Sequence, residues 1–427
     1  MRRMPLQWPA RRSSARAPPS RAPKAGGAWR GETSACPASR QPARGGAWPG
    51  PRVRQVAAGP PPSRLPQCAG RLWAVAELRG PAGGGSGSGS GSGSESGSAP
   101  ARRIPEMAKY TRGTVTAFSP FDARADAEAL RKAMKGMGTD EETILKILTS
   151  RNNTQRQEIA SAFKTLFGRD LVDDLKSELT GKFETLMVSL MRPRYIFDAH
   201  ALKHAIKGAG TNEKVLTEIL ASRTPEEVRN VKQVYLQEYE ANLEDKIKGE
   251  TSGHFQRLLV VLLQANRDPD GRVDEGLVEQ DAQVLFRAGE LKWGTDEEKF
   301  ITILGTRSIS HLRRVFDKYM TISGFQIEET IDRETSGDLE KLLLAVVKCV
   351  RSVPAYFAET LYHSMKGAGT DDDTLIRVMV SRSEIDLLDI RQEFRKNFAK
   401  SLHHMIQKDT SGDYRKALLL LCGGDDD

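Results

Sequence analysis

"KGMGTDEE" (Lys135–Glu142) sits between two stretches of helical periodicity, and the chain carries it four times. It returns as "KGAGTNEK" (Lys207–Lys214), "LKWGTDEE" (Leu291–Glu298) and "KGAGTDDD" (Lys366–Asp373). Anchored on the last glycine of each, the copies stand at Gly138, Gly210, Gly294 and Gly369, in steps of 72, 84 and 75 residues. Self-similarity at such a period marks a repeat architecture, in which neighbouring units share their buried faces. Two further marks keep register. Thirteen residues after each glycine stands an arginine (Arg151, Arg223, Arg307, Arg382), and forty residues after it an acid (Glu178, Glu250, Glu334, Asp409). The longer middle step is absorbed by "ANRDPDGRVDEG" (Ala265–Gly276), which reads as a connector between halves.

Within a unit the pattern is helical. "DAEALRKAMK" (Asp126–Lys135) and "EETILKILTSR" (Glu141–Arg151) space apolar residues three and four apart, as a one-sided helix requires. Thr139 and Thr295 each have a Glu three positions on, which predicts a capping box starting the next helix. "FQRLLVVLLQA" and "LEKLLLAVVKCV" are apolar on nearly all sides and predict the most buried helix of their units. About five helices per unit and no strand give an all-α fold.

The 427 residues carry a net charge of +8, which would ordinarily suggest a nucleic-acid partner. Its distribution argues otherwise. Residues 1–106 hold 17 basic and 4 acidic residues, so the remaining 47 basic and 52 acidic residues leave 107–427 at −5. No nucleic acid is expected for this mildly acidic core. The leader is rich in Arg, Pro, Gly and Ser, ends in "GGGSGSGSGSGSESGS" (Gly83–Ser98), and is expected to be disordered. It fits neither a secretory signal nor a transit peptide, and translated upstream sequence with Met107 as the usual start is an equal reading. Cys36 and Cys68 lie in the leader, Cys349 and Cys422 in the core, without metal spacing, so a reduced thiol state is expected. The longest apolar runs, Leu258–Leu263 and Leu342–Val347, fall far short of the roughly 20 residues a membrane span needs.

The glycine loops admit two readings. Glycine stops a helix and threonine starts one, so a plain helix–turn–helix needs nothing more. The matched acids favour chemistry. A glycine loop can turn successive carbonyls toward one point, and one carboxylate beside it completes an oxygen cage suited to Ca²⁺, which takes 6–8 oxygens at about 2.3–2.6 Å. No EF-hand pattern is present: "DRETSGDLEKLL" has Gly337 in sixth place but Leu343 where a bidentate Glu is required. A single carboxylate predicts weak affinity, toward about 10⁻⁴ M, and leaves positions that a lipid phosphate could fill. Trp293, between Lys292 and Gly294, is the only tryptophan outside the leader, and on such a loop its ring suits the headgroup level of a membrane.

Four copies of this element in register, three of them [MI]KGxGT, resemble the annexin family from about Arg112 to Cys422. The resemblance implies four five-helix repeats forming a slightly curved disc with calcium loops on its convex face. It divides the chain into leader 1–106, tail 107–121, repeats at 122–193 and 194–265, connector 266–277, and repeats at 278–352 and 353–427. Carried over, the carbonyls of Met134, Gly136 and Gly138 join Glu178. Those of Ile206, Gly208 and Gly210 join Glu250. In the altered third loop Gly289, Lys292 and Gly294 join Glu334, and in the fourth Met365, Gly367 and Gly369 join Asp409. Thr139 and Glu141 would hold an accessory ion. Asp140 and Asp371 read as solvated caps.

The resemblance further implies calcium-dependent binding to anionic phospholipid, phosphatidylserine above all, with coagulation and phospholipase access inhibited by covering the lipid. The protein would be monomeric in solution, with a trimer or lattice on membranes. It would be cytoplasmic and peripheral at membranes when calcium is present, with an extracellular pool reached without a signal peptide. Relatives carry an acid on a central hydrophilic axis where this chain has Ala201, so the resemblance does not by itself imply ion conduction; Asp198, Arg223 and Arg377 remain there to line such an axis, and the arginines read as paired, buried organisers. No catalytic residue is expected: His200 and His204 stand four apart without the Glu of HExxH, and no phosphate loop or nucleophile elbow occurs. The alternative is a calcium-independent helical-repeat scaffold for proteins. "LLCGGD" (Leu420–Asp425) fits a loose S-nitrosylation pattern at Cys422, against which its acidic neighbours and an inert, partly buried thiol are the preferred reading.

Overall fold

A computed structural model describes residues 112–136, 138–208, 210–291 and 294–424. The leader, residues 107–111, Lys292 and Trp293 lie outside the described residues. Twenty α-helices and no strand are found among the described residues.

The helices fall into four groups of five. The first comprises α1 (Ala123–Ala133), α2 (Glu141–Ser150), α3 (Asn153–Phe167), α4 (Leu171–Glu178) and α5 (Gly181–Leu190). The second comprises α6 (Arg194–Ala205), α7 (Glu213–Ser222), α8 (Pro225–Tyr239), α9 (Leu243–Glu250) and α10 (Gly253–Leu263). In the third are α11 (Glu275–Ala288), α12 (Glu297–Thr306), α13 (Ile309–Ser323), α14 (Ile327–Glu334) and α15 (Gly337–Arg351). The fourth holds α16 (Val353–Met365), α17 (Asp372–Arg382), α18 (Leu387–Phe398), α19 (Leu402–Asp409) and α20 (Gly412–Cys422). α1 shows the local logic. Asp122 caps it by accepting from the Arg124 and Ala125 amides, and Asp126, Ala127, Leu130 and Ala133 bury one stripe at three- and four-residue spacing. α11 begins at Glu275, capped by Asp274, so the end of the connector stretch is its first turn.

The apolar faces meet in two cores, and chain order does not decide the partners. One core joins the first group to the last, packing Phe163, Leu186 and Met187 with Phe357, Phe394 and Leu418. The other joins the second to the third through Leu258, Leu259, Phe300, Phe316 and Leu343. Accordingly α2 lies on α20 and α5 on α17, while α10 lies on α12 and α7 on α15. The segment before α1 closes the first core. Val115 donates its amide to the Ser383 carbonyl (3.0 Å), and Leu388 donates to the Arg112 carbonyl (2.9 Å). Gly113 belongs to this seam, because a Cβ there would meet the Glu384 carbonyl carbon at 2.5 Å.

Arg151, Arg223 and Arg382 are buried, Arg307 is half-buried, and each is paired with an acid, as expected for Arg223. Arg151 forks onto Asp126 (2.7 and 2.8 Å), Arg223 onto Asp198 (2.7 and 2.9 Å) and Arg307 onto Asp281 (2.7 and 3.2 Å), each acid lying on the first helix of its group. In the last group Phe357 occupies that helix position, and Arg382 turns instead to Asp386 (2.7 and 2.6 Å). One further pair ties the two cores together: Arg377 of α17 forks onto Glu218 of α7 at 2.9 and 2.7 Å, both side chains buried. Removing one partner of such a pair strands a charge in low dielectric, at about 3–5 kcal/mol.

Candidate metal centres

Each glycine element is the link between the first and second helix of its group, and each is closed by one backbone bond. The amides of Asp140, Asn212, Asp296 and Asp371 donate to the carbonyls of Ala133, Ala205, Ala288 and Ser364, at 2.9, 2.7, 3.0 and 2.8 Å. The bonded residues stand seven positions apart in three loops and eight apart in the third. That extra residue is why its glycine pattern reads differently from the others. It falls between Gly289 and Gly294, so Gly289 still follows the closing carbonyl as Met134, Ile206 and Met365 do. Gly136 and Gly138 take φ of 134° and 98°, a region closed to residues with a Cβ, which frees the loop backbone to face outward. The equivalents Gly208, Gly210, Gly367, Gly369 and Gly294 also have positive φ, whereas Gly289 does not.

The acids are brought to these loops by the fourth helix of each group. Glu178, Glu250, Glu334 and Asp409 are the last residues of α4, α9, α14 and α19. In every group a loop threonine spans the gap. Thr139 Oγ1 donates to a Glu178 carboxylate oxygen (3.0 Å), and Thr295 Oγ1 reaches both the Glu334 carbonyl (2.8 Å) and its carboxylate (3.3 Å). Thr211 and Thr370 donate to the carbonyls of Glu250 (3.0 Å) and Asp409 (3.2 Å). This corrects the capping expectation. The caps of α2 and α12 are Asp140 and Asp296, not Thr139 and Thr295, because the threonine hydroxyls are engaged across the gap. Asp140 and Asp371 are caps as read, accepting from the Thr143 and Thr374 amides. The side chain and then the amide of Thr143 hold the Asp140 carboxyl below its ordinary value.

Two helix C-termini therefore converge at each loop, one ending in the glycine turn and the other in the acid. A helix C-terminus carries roughly half a negative charge on its free carbonyls. A carboxylate on the last residue of a helix is repelled by that end, by about 0.3–1 kcal/mol. Four such placements concentrate negative potential where a cation would relieve it. Glu178 and Glu250 are exposed, Glu334 and Asp409 half-buried. Glu141 lines the same groove as Glu178, Asp372 and Asp409, a cleft of about 500 Å³ between the first and last groups. Among the described residues no cluster of three or more His, Cys, Asp or Glu side chains suits a metal, so backbone oxygens are the remaining donors at these loops.

Other sequence candidates are placed elsewhere. Cys422 is fully buried at the end of α20, and Asp198 and Arg223 are consumed by their mutual pair. His200 and His204 face each other on α6; burial, then Arg192 and His204, push the His200 imidazolium down to about 4. The sequence reading missed Leu291. At 65% exposure it is the most exposed large apolar side chain described, and it stands on the third loop. Its signal was an apolar residue where the other copies have lysine.

The annexin family model matches residues 125–190, 197–262, 280–346 and 356–421. Annexin A5 of Gallus gallus is 94% identical over 321 residues, which is 75% of this chain and all of that protein. The solved structure of chicken annexin V in complex with Zn²⁺ is 95% identical and superposes with a TM-score of 0.72, covering 74% of this chain and all of that one. Calcium-bound annexin (Sm)1 is 36% identical with a TM-score of 0.67, over 74% of this chain and 95% of that one. With one family match on each of its four five-helix groups, the chain belongs to the annexin family.

Proposed function

We propose that this annexin binds phospholipid membranes in a calcium-dependent way, Ca²⁺ joining each glycine loop and its acid to lipid phosphate. Family membership supports the general activity. The observation that carries the finer reading is the fourfold meeting of two helix C-termini and a carboxylate, bridged by a threonine. The residues suit a hard cation. Carbonyls of Met134, Gly136 and Gly138 with Glu178 would hold the first ion, those of Ile206, Gly208 and Gly210 with Glu250 the second. Gly289, Lys292 and Gly294 with Glu334 would hold the third, and Met365, Gly367 and Gly369 with Asp409 the fourth. Thr139 and Glu141 would hold an accessory ion. Bound calcium supplies positive charge and open coordination positions; the protein contributes loop shape and a fixed carboxylate. Such a set falls short of the 6–8 oxygens calcium takes, so lipid completes the shell and each ligand strengthens the other.

The complexes with Ca²⁺ and Zn²⁺ named for relatives support divalent-cation binding in this family. Leu291 and Trp293, two residues apart in the third glycine element, would enter the interface; burying a leucine side chain contributes about 1.5–3 kcal/mol. Among the described residues no helix is long and apolar enough to cross a membrane, and attachment by loops needs none. Phosphatidylserine selectivity, a monomer that assembles as a trimer or lattice on the membrane, a peripheral cytoplasmic location with an extracellular pool, and shielding of lipid from coagulation factors and phospholipases complete the reading. The shielding needs no catalytic residue.

The experiment is co-sedimentation of the full chain with phosphatidylserine vesicles across a calcium titration. The parent should pellet only with calcium. Joint substitution Glu178→Gln, Glu250→Gln, Glu334→Gln and Asp409→Asn should abolish pelleting while the helical circular dichroism persists. Pelleting by the fourfold variant at the parent's calcium midpoint would remove the loops from the mechanism, and a parent that never pellets in a calcium-dependent way would favour a protein scaffold.

A further inference from the structure

We propose that the cleft between the first and last groups binds a linear polyammonium ion of the polyamine class. Its wall is one set of positions used twice. Glu141 and Asp372 open α2 and α17, Glu178 and Asp409 close α4 and α19, and Phe183 and Tyr414 stand third in α5 and α20. Each group therefore brings two acids and one aromatic ring. A polyamine is also two-ended, with ammonium groups for the carboxylates and methylene spacers for the rings. The acids have a plainer account, since a carboxylate at a helix N-terminus meets the positive end of the helix dipole. That account covers Glu141 and Asp372 but not Tyr414. Tyr414 lines the cleft at 9% exposure, and its hydroxyl makes no hydrogen bond of ordinary geometry. A buried hydroxyl left in that state costs free energy that a ligand can restore. Burial, then the Asp372 carboxylate, push the phenol's ionisation up, so it stays neutral. With Asp372 close enough to take the O–H, the phenol oxygen keeps lone pairs for an N–H donor.

The charge balance sets the ligand. On the same wall Asp413 pairs with Lys416 (2.8 Å), and Lys182 pairs with Asp373 (3.2 Å). Glu141, Glu178, Asp372 and Asp409 make no ion pair among the described residues, so four negative charges face the cleft uncompensated. The matching seam between the second and third groups is closed differently. Glu297 opens α12 as Asp372 opens α17, but it faces His254 at 3.7 Å, and Arg257 reaches Glu298 at 2.9 Å. There the chain supplies its own cations. Among the described residues no three acids lie close enough to share one metal ion, so an extended cation fits this wall better than a point charge. A volume of about 500 Å³ is ordinary for a small-ligand cleft.

The site is tested by calorimetric titration of spermine into the full chain, in chelator-treated buffer at physiological ionic strength. The parent should take up one equivalent. Tyr414→Phe and Asp372→Asn should each weaken binding about tenfold, the worth of a hydrogen bond to a charged group. Glu142→Gln removes an acid outside the cleft and should leave the affinity unchanged. Equal affinity in the parent, Tyr414→Phe and Asp372→Asn overturns the site. An equal loss in Glu142→Gln also overturns it, because diffuse charge attraction would then be the cause. Tyr414→Phe should not lower the melting temperature of the unliganded protein; a marked fall would show the hydroxyl already partnered and overturn its role. Glu178 and Asp409 also belong to the calcium reading, but the cleft does not rest on it. Calcium is absent throughout, so failure here is distinct from failure of that reading.

Discussion

At the scale of single residues, the buried ion pairs carry the clearest consequences. Asp198→Asn leaves the Arg223 guanidinium buried with half its partner, and the fold should lose about 3–5 kcal/mol, read as a lowered urea midpoint. An unchanged midpoint would show that the pair is replaceable by a neutral one. Cys349 gives a pH prediction. Burial pushes its thiol from 9.0 up to about 12. Between those values the unfolded thiol ionises while the native one stays neutral, so stability is lost as pH rises from 9 to 12. At pH 8 a thiol reagent should leave Cys349 and Cys422 unlabelled in the native protein and label both after denaturation; rapid native labelling would contradict their burial. How far these residues were legible varies. Spacing located all four register arginines but not their partners. In three groups the acid is twenty-five or twenty-six residues upstream, whereas Phe357 in the fourth hides a switch to Asp386.

For the elements, the lesson lies in the threonines. A sequence pattern finds local partners, so it offers the Glu three residues on as the mate of Thr139 and Thr295. The actual mates lie 39 residues away, in another helix, and only tertiary packing supplies them. Thr295→Val keeps the side-chain shape but removes that bridge. It should raise the calcium needed for vesicle binding while shifting the melting temperature little; an unaltered calcium midpoint would reduce the bridge to packing. Gly136→Ala isolates the backbone term, because a Cβ there would meet nothing within 4 Å. Its φ of 134° should cost about 1–3 kcal/mol in strain or reshape the loop, measured as lower stability or weaker calcium binding. Helix type and order were legible throughout, since amphipathic spacing is a local property. The length of the third loop was visible only as a broken glycine pattern. Its structural meaning, one extra residue under the same closing bond, required the Asp296 to Ala288 hydrogen bond.

Across the whole molecule, repeat number and fold class were readable from periodicity, but the partnership of first with last and second with third was not. Sequence order says which units are adjacent in the chain, not which apolar faces match. The Glu218–Arg377 pair is a buried link between the two cores. Glu218→Gln should weaken their coupling, seen in calorimetry as a broadened or split transition; a single sharp transition at a lower temperature would mean the cores remain one cooperative unit. The seam at Val115 and Ser383 carries a temporal implication. In an open solenoid each repeat rests on its predecessor, and ordering can follow the chain as it lengthens. Here α2 rests on α20, a helix of the fourth group. The first unit leaves the ribosome with its apolar face bare and waits for the fourth, so its core closes out of chain order.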